Sequence, residues 1–214
     1  MDKATNIIFF SRFRINAATI RIVLFVLFFC SGSSAVIYQV MWQRMLYTVF
    51  GLDLESITMI VSVFMFGLGI GGLYGGYLAD QMPYRLLYLY VMIELAIAVF
   101  GFMSPKLITT LDHLLVSNSK LLTAVLSFIL LAIPTMLMGA TFPILVTHTN
   151  IFYRHVGRSV GNLYFVNTLG GSVGAFLSGF VLLYCLDLPG SIYFAACLNL
   201  SIAGIAFVAF RRQA

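Results

Sequence analysis

The chain has 214 residues, of which 61% are hydrophobic and only 9% are charged. A soluble domain averages about 45–50% apolar and about 25% charged residues, so 12 Lys+Arg and 7 Asp+Glu cannot coat a water-soluble globule of this length. The composition therefore predicts an integral membrane protein. It excludes a disordered chain, a disulfide-stapled secreted domain and, despite a net charge of +5, a nucleic-acid-binding protein.

Six apolar segments are long enough to cross a membrane as helices. A hydrocarbon core roughly 30 Å thick needs about 20 mostly apolar residues. Unbroken apolar runs such as Ile22–Phe29 and Leu121–Ile133 favour helices over the alternating strands of a membrane barrel. The predicted spans are 20–43, 57–80, 86–104, 121–147, 160–184 and 189–210. Pro134 and Pro143 interrupt the fourth span, so we expect this helix to kink or to end early.

The basic residues predict that both termini are cytoplasmic. One set of loops and ends carries nine of the 12 basic residues, namely Lys3, Arg12, Arg14, Arg21, Arg85, Arg154, Arg158, Arg211 and Arg212. The opposite set carries the other three, which are Arg44, Lys106 and Lys120. Because basic residues accumulate on the inner side, we expect a cytoplasmic N-terminal segment at 1–19, a cytoplasmic tail at 211–214 and a place in a bacterial inner membrane.

The second and fifth spans contain small residues at four-residue spacing. They are Gly67, Gly71 and Gly75 in the second span and Gly170, Gly174 and Ser178 in the fifth. Small residues at this spacing let two helix backbones approach closely within a membrane. Since the glycine-rich helix is the second in each group of three, the halves 20–104 and 121–210 are predicted to form a 3+3 inverted repeat.

The end of the second span carries a recognisable motif. Residues 76–85 read Gly-Tyr-Leu-Ala-Asp-Gln-Met-Pro-Tyr-Arg. This stretch resembles the Gly-x-Leu-Ala-Asp-(Arg/Lys)-x-Gly-(Arg/Lys) loop of the major facilitator superfamily, which joins the second and third helices on the cytoplasmic face. The resemblance implies an all-α fold like half of such a transporter, and gating or structural roles for Asp80 and Arg85.

A narrower resemblance rests on four stretches of sequence. They are Ser31–Arg44, Glu94–Ala98, Pro134–Pro143 and Val160–Gly171. In the same order, they are similar to the membrane module of the fused transporter/spermidine-synthase proteins, in which a spermidine-synthase-like domain usually follows. This sequence has no glycine-rich S-adenosylmethionine loop after a soluble strand. We therefore expect no enzymatic activity and no cofactor, with any aminopropyl transfer coming from a separate aminopropyltransferase-like polypeptide.

Glu94 is the most informative single residue. Counted from Leu86 at 1.5 Å per residue, it lies roughly 12 Å deep, near the middle of the membrane. A lone carboxylate at that depth costs several kcal/mol unless it is protonated, hydrated or paired, and it is by default a functional candidate. We expect Glu94 to hold a cationic substrate or to carry a proton. The alternative is a protonated or hydrogen-bonded packing residue.

The outer part of the first span adds three candidates. Tyr38 and Trp42 are four residues apart and share a helix face, so their rings are placed to flank a cation. The alternative is an aromatic belt at the membrane interface, which we favour for Trp42. Gln39 sits deeper and is predicted to line a cavity.

Further polar residues have structural alternatives. Asn167 and Tyr164 share a face of the fifth span, where interhelical hydrogen bonding is slightly favoured over a cavity lining. Arg44 is predicted to lie at the headgroup boundary and to pair with Asp53 or Glu55, a structural role.

Neither the cysteines nor the histidines predict a metal site. Cys30, Cys185 and Cys197 fall in or at the edge of predicted helices, and His113, His148 and His155 lie in or next to predicted loops. An odd number of cysteines in lipid-embedded segments favours packing roles over disulfides. We therefore expect no bound metal.

Together these patterns predict a transporter-like membrane module that binds or moves a small cationic solute such as a polyamine. The candidate substrate-binding residues are Glu94, Tyr38, Gln39, Trp42, Asn167 and Tyr164. One alternative is a non-transporting membrane subunit that anchors, or presents substrate to, a separate spermidine-synthase-like or methyltransferase-like enzyme. Another is a purely structural assembly partner. Besides the lipid bilayer, we expect a homodimer or a hetero-partner that covers the open face of the half-transporter.

Overall fold

The computed structural model describes residues 17–51, 53–115, 120–153 and 155–210. Most of the predicted N-terminal segment and all of the tail lie outside these ranges. So do several basic residues that predicted the orientation, namely Lys3, Arg12, Arg14, Arg154, Arg211 and Arg212.

The described residues fold into long helices joined by short connections. The helices are α1 (Ala17–Phe50), α2 (Asp53–Gln81), α3 (Leu86–Leu115), α4 (Lys120–Tyr153), α5 (Val156–Leu177) and α6 (Leu188–Phe210). A π-helical segment, Ser178–Leu182, and one α-turn, Leu183–Cys185, extend α5. The described chain thus has six helices long and apolar enough to cross a membrane. This confirms the prediction of an all-α protein with six candidate spans.

The prolines do not terminate the helices that contain them. α3 continues past Pro105, and α4 runs through both Pro134 and Pro143, so the expectation that α4 ends early is wrong. Hydroxyl groups beside the two α4 prolines donate to helix carbonyl groups. Thr135 Oγ1 lies 2.9 Å from the Leu131 oxygen, and Thr141 Oγ1 lies 2.7 Å from the Met138 oxygen. These bonds go to carbonyl groups next to Leu130 and Gly139, whose oxygens lose their helical N–H donors to Pro134 and Pro143, so the threonines bind the backbone in the two turns that the prolines interrupt.

The full length of α4 changes the setting of His148. His148 was predicted to lie next to a loop, but it lies within α4 and its side chain is buried. Within the described ranges no three His, Cys, Asp or Glu side chains converge on a common point. Cys30 is partly buried, whereas Cys185 and Cys197 are exposed.

The helices pack in pairs that are distant in sequence. α2 lies along α4, α1 lies along α5, and α3 lies along α6. Further contacts join α3 to α4 and α1 to α6, while the consecutive pairs α1–α2 and α4–α5 touch over shorter stretches. As a result, α3 and α6 support one side of the bundle, and α1, α2, α4 and α5 surround a cavity on the other.

The predicted glycine stripes lie at the closest helix contacts. Gly67, Gly71 and Gly75 of α2 face α4, and Gly170 and Gly174 of α5 face α1. A Cβ on Gly71 would overlap the backbone of Met136, and a Cβ on Gly170 would overlap the backbone of Phe29. The prediction that these small residues allow close backbone approach is confirmed.

Candidate functional site

A cavity of about 630 Å³ lies among α1, α2, α4 and α5. Most of its polar side chains come from α1 and α5, a surface we call the polar wall: Ser31, Gln39, Tyr164, Asn167, Thr168 and Ser172. α2 and α4 form the apolar wall, with Phe64, Leu68, Met138, Phe142 and Pro143. Thr141 also lies on α4, but its hydroxyl donates to the Met138 carbonyl oxygen at 2.7 Å. The polar groups of the cavity are therefore concentrated on the α1–α5 side, where they lie among apolar residues such as Phe28 and Val36, and the α2–α4 side is largely apolar.

The predicted substrate-binding residues divide into two groups. Gln39, Tyr164 and Asn167 line the cavity, with Tyr164 the most exposed of the three. Glu94, Tyr38 and Trp42 are fully buried behind the wall, where α1 meets α3 and α6. The sequence thus identified residues of both groups but could not distinguish those that line the cavity from those buried behind it.

Glu94 is held by neutral hydrogen-bond donors from two other helices. Its Oε1 atom accepts from Ser31 Oγ at 2.7 Å, and its Oε2 atom accepts from Asn199 Nδ2 at 2.6 Å. Tyr90, one turn earlier in α3, is fully buried near the same carboxylate, and its hydroxyl has no hydrogen-bond partner among the described residues. We call Ser31, Tyr90, Glu94 and Asn199 the carboxylate cluster.

The carboxylate cluster is coupled to the cavity through Ser31. Glu94 has no exposed surface, whereas Ser31 donates to it and also lines the cavity. A single hydroxyl therefore separates the carboxylate from the space that a solute can enter. Since both donors on Glu94 are neutral, its charge is not balanced by these contacts. A buried carboxylate in that state favours a nearby cation or a bound proton.

Tyr38 and Trp42 pack α1 against α3. Their rings stack with centroids 4.9 Å apart, which confirms the shared face but leaves no room for a cation between them. Trp42 Nε1 also donates to Ser104 Oγ at 2.9 Å, and both aromatic side chains are fully buried. The favoured position of Trp42 in a lipid-facing belt is therefore wrong, because protein surrounds the indole on all sides.

The predicted gating and structural residues lie at helix ends. Asp80 and Arg85 are exposed on either side of the short α2–α3 connection. The backbone of that connection is closed by the Arg85 N–H group, which donates to the Met82 oxygen at 2.9 Å. Arg44 is exposed near the end of α1. The side chain of Asp53, one of its two predicted partners, lies outside the described residues.

Sequence reasoning missed Asn199 and the role of Ser31. Asn199 is the single amide in the sixth span, so its isolation in an apolar segment was a usable signal. Ser31 belongs to a stretch that was singled out, but nothing in the sequence shows that α1, α3 and α6 meet at this level. These contacts join residues 63 and 105 positions apart in the chain.

Comparison with known proteins gives one distant similarity. Polyamine aminopropyltransferase of Oceanobacillus iheyensis is 22% identical over 178 residues, which are 83% of this chain and 33% of that protein. The chain therefore spans about a third of the length of the curated relative it matches. No protein-family model matches the chain, and no solved structure matches it.

Proposed function

We propose that this protein is a transporter-like membrane module that binds and moves a small cationic solute, with polyamines as the favoured class. The observation that carries the proposal is the position of Glu94. Its carboxylate lies directly behind the polar wall of a cavity of about 630 Å³ and is joined to that wall by Ser31. Its negative charge makes the cavity favourable for a cation, because Coulomb interactions are strong where water is scarce.

The Ser31 hydroxyl makes the polar wall selective for hydrogen-bond donors. A serine hydroxyl has one hydrogen and two acceptor lone pairs. Because the hydrogen of Ser31 is donated to Glu94, only acceptor capacity remains for a solute. An ammonium group carries donors alone, so it matches this site. Gln39 and Asn167 add amide oxygens to the same wall.

The two walls together fit a chain of alternating amines and methylene groups. Ammonium groups would face Ser31, Gln39 and Asn167, while methylene groups would contact Phe64 and Met138 across the cavity. Burial of a methylene group contributes about 0.8 kcal/mol, so the apolar wall adds affinity. The similarity to a protein named for polyamine chemistry supports the same class of solute.

The helix contacts support the inverted-repeat and half-transporter part of the proposal. Gly32 of α1 lies against the Asn167 backbone of α5, and Gly139 of α4 lies against the Leu68 backbone of α2. The two halves thus make corresponding contacts at the cavity. In this arrangement both termini lie in the cytoplasm of a bacterial cell, and a second copy or another membrane subunit covers the open side of the cavity.

A second candidate function is presentation of the solute to an enzyme. The curated relative is named as an enzyme, and this chain covers only a third of it. On that basis the chain would be a non-transporting membrane subunit that anchors, or delivers substrate to, an aminopropyltransferase-like or methyltransferase-like partner. The cavity would then bind the solute without moving it across the membrane.

Reconstitution in liposomes separates these functions. We expect the wild-type protein to take up labelled spermidine or putrescine. The uptake rate of Glu94→Gln should be at least about tenfold lower, and a tenfold difference corresponds to about 1.4 kcal/mol. Asp112→Asn is the matched control, because it removes a carboxylate from the same helix about 27 Å away at 1.5 Å per residue.

Each alternative result has a definite meaning. Equal uptake by wild type and Glu94→Gln would remove Glu94 from the mechanism. Saturable binding of spermidine without uptake, in protein from native membranes as well as in the reconstituted sample, would contradict transport and favour the presenting subunit.

A further inference from the structure

We infer that the carboxylate cluster is a second binding site, distinct from the cavity, which holds a proton that is exchanged for the solute cation. The existence of this proton site follows from the geometry around Glu94. Only the exchange step depends on the proposed function, because it requires a cationic solute in the cavity.

Among the residues that the structure describes, none places a fixed positive charge beside Glu94. Its hydrogen-bond donors are the neutral Ser31 hydroxyl and Asn199 amide. Among the described residues, the titratable side chains near Glu94 are Tyr90 within the cluster and Cys30 and Tyr38 from α1, and Cys197 of α6 lies near Tyr38. None of these is a cation at any pH, so the cluster itself must take up a positive charge to become neutral.

The donor and acceptor pattern favours a proton over a metal ion. Ser31 and Asn199 direct hydrogens at the two carboxylate oxygens, at 2.7 and 2.6 Å. A metal ion would require both donors to turn away. A proton needs only one acceptor for the new O–H group, and within the described chain Asn199 Oδ1 is buried without a hydrogen-bond partner.

Asn199 is suited to both protonation states of Glu94. With the carboxylate ionised, Nδ2 donates to Oε2 as the structure shows. With Oε2 protonated, rotation of the amide by about 180° presents Oδ1, which accepts from the acid, since an amide carries donors on one side and an acceptor on the other. A residue with only donors or only acceptors lacks this property.

The exchange conserves charge. With the cavity empty, the proton is covalently bound to a Glu94 oxygen. When an ammonium group reaches Ser31, the carboxyl group turns its O–H towards Ser31, the residue that separates it from the cavity. The O–H bond breaks, the electron pair stays on the carboxylate, and Ser31 Oγ accepts the proton while its own hydrogen passes to water in the cavity. One positive charge replaces another beside Glu94. Departure of the solute restores the affinity for a proton.

Infrared difference spectroscopy tests the proton site without any transport assay. We expect purified wild-type protein and Asp112→Asn to show the carbonyl stretch of a buried protonated acid, and Glu94→Gln to lack it. Saturating spermidine should reduce this band and release protons into a weakly buffered solution. Identical spectra for wild type and Glu94→Gln over the whole pH range would overturn the proton site.

A second variant keeps the test informative where Glu94→Gln does not fold. Asn199→Ala removes the acceptor, so it should shift the frequency of the acid band, which isotope-labelled glutamate assigns in the wild-type protein. An unchanged frequency would contradict the role of Asn199.

The proton site and the proposed function fail in different ways. A pH-dependent Glu94 band in a protein that binds no polyamine would support the proton site and contradict polyamine as the solute. Polyamine binding with no change in the band would contradict the exchange and leave the proposed function standing.

Discussion

The polar and apolar walls of the cavity share one packing geometry and differ in chemistry. In both, a glycine of one helix lies against the backbone of its partner: Gly32 against Asn167 on the polar wall, and Gly139 against Leu68 on the apolar wall. Asn167 and Leu68 thus both lie against a glycine of the neighbouring helix, yet one side chain is an amide and the other is a hydrocarbon. The close backbone contacts are common to both walls, and the side chains that a solute meets are specific to each.

α3 and α6, the helices behind the polar wall, also pair side chains of different chemistry. Glu94 of α3 meets Asn199 of α6 directly, at 2.6 Å. α3 provides a carboxylate and α6 provides an amide. In both comparisons, close helix packing is accompanied by side chains of different chemistry, so stability and solute binding should respond to different substitutions.

The largest expected effect is on the shared packing. Gly71→Leu and Gly170→Leu should each prevent a stable fold, because even a Cβ at either position would overlap the backbone of the facing helix. Overpacking costs about 1–3 kcal/mol where neighbours can move, and backbone cannot. Thermal unfolding in detergent measures the effect. Gly69→Leu is the control, since a Cβ there meets no atom within 4 Å. A Gly71→Leu protein that unfolds at the wild-type temperature would contradict the packing account.

The next largest effect concerns the α3–α6 pair. Glu94→Asn should abolish solute uptake because it removes the charge beside the cavity. The exchanged variant Glu94→Asn/Asn199→Glu restores one carboxylate and one amide in contact, and it should regain about a tenth of the wild-type rate if the altered geometry costs about 1.4 kcal/mol. Equal inactivity of the single and double variants, both folded, would mean that the two helices are not interchangeable at this point.

A moderate effect is expected from the walls themselves. Asn167→Leu makes the polar wall resemble the apolar one and should weaken spermidine binding about tenfold or more, since a hydrogen bond to a charged group contributes about 1.5–3 kcal/mol. Leu68→Ala, on the apolar wall, should change affinity much less. Equilibrium binding to the purified variants measures both. Equal losses would show that the distinction between the walls has no functional meaning.

The smallest effect on binding is expected from Trp42→Phe. The indole donates to Ser104 and does not line the cavity. Its loss should lower the free energy of unfolding by about 1–3 kcal/mol, because the buried Ser104 oxygen loses its donor and keeps only its own bond to the Gly101 oxygen. Spermidine affinity should stay the same. Tyr47→Phe, on the exposed face of α1, is a control that should change neither property. A large loss of spermidine affinity in Trp42→Phe would instead mean that the indole belongs to the binding site.

The sequence could predict the membrane-spanning helices because the length of each apolar segment can be counted from consecutive residues. It could not predict where helices end, since a helix continues beyond the hydrocarbon core wherever its backbone remains hydrogen-bonded. Thus α3 extends to Leu115 and α4 to Tyr153. Glu94 was identifiable because a carboxylate at mid-membrane depth is costly whatever surrounds it.

The sequence could not predict which of the site residues line the cavity and which are buried behind its wall. Tyr38 and Gln39 are adjacent in the chain, but one is buried against α3 and the other lines the cavity. Which side of α1 faces the cavity depends on the packing of α3, α5 and α6 around it. The link from Ser31 through Glu94 to Asn199 is likewise a property of three helices together.

The most direct measurement is equilibrium binding of labelled spermidine to the purified protein, compared among wild type, Glu94→Gln and Asp112→Asn. We expect saturable binding by wild type and Asp112→Asn with the same affinity, and binding at least about tenfold weaker by Glu94→Gln, a loss of about 1.4 kcal/mol. The same affinity in all three proteins, or no saturable binding by the wild type, would contradict a cation site built on Glu94.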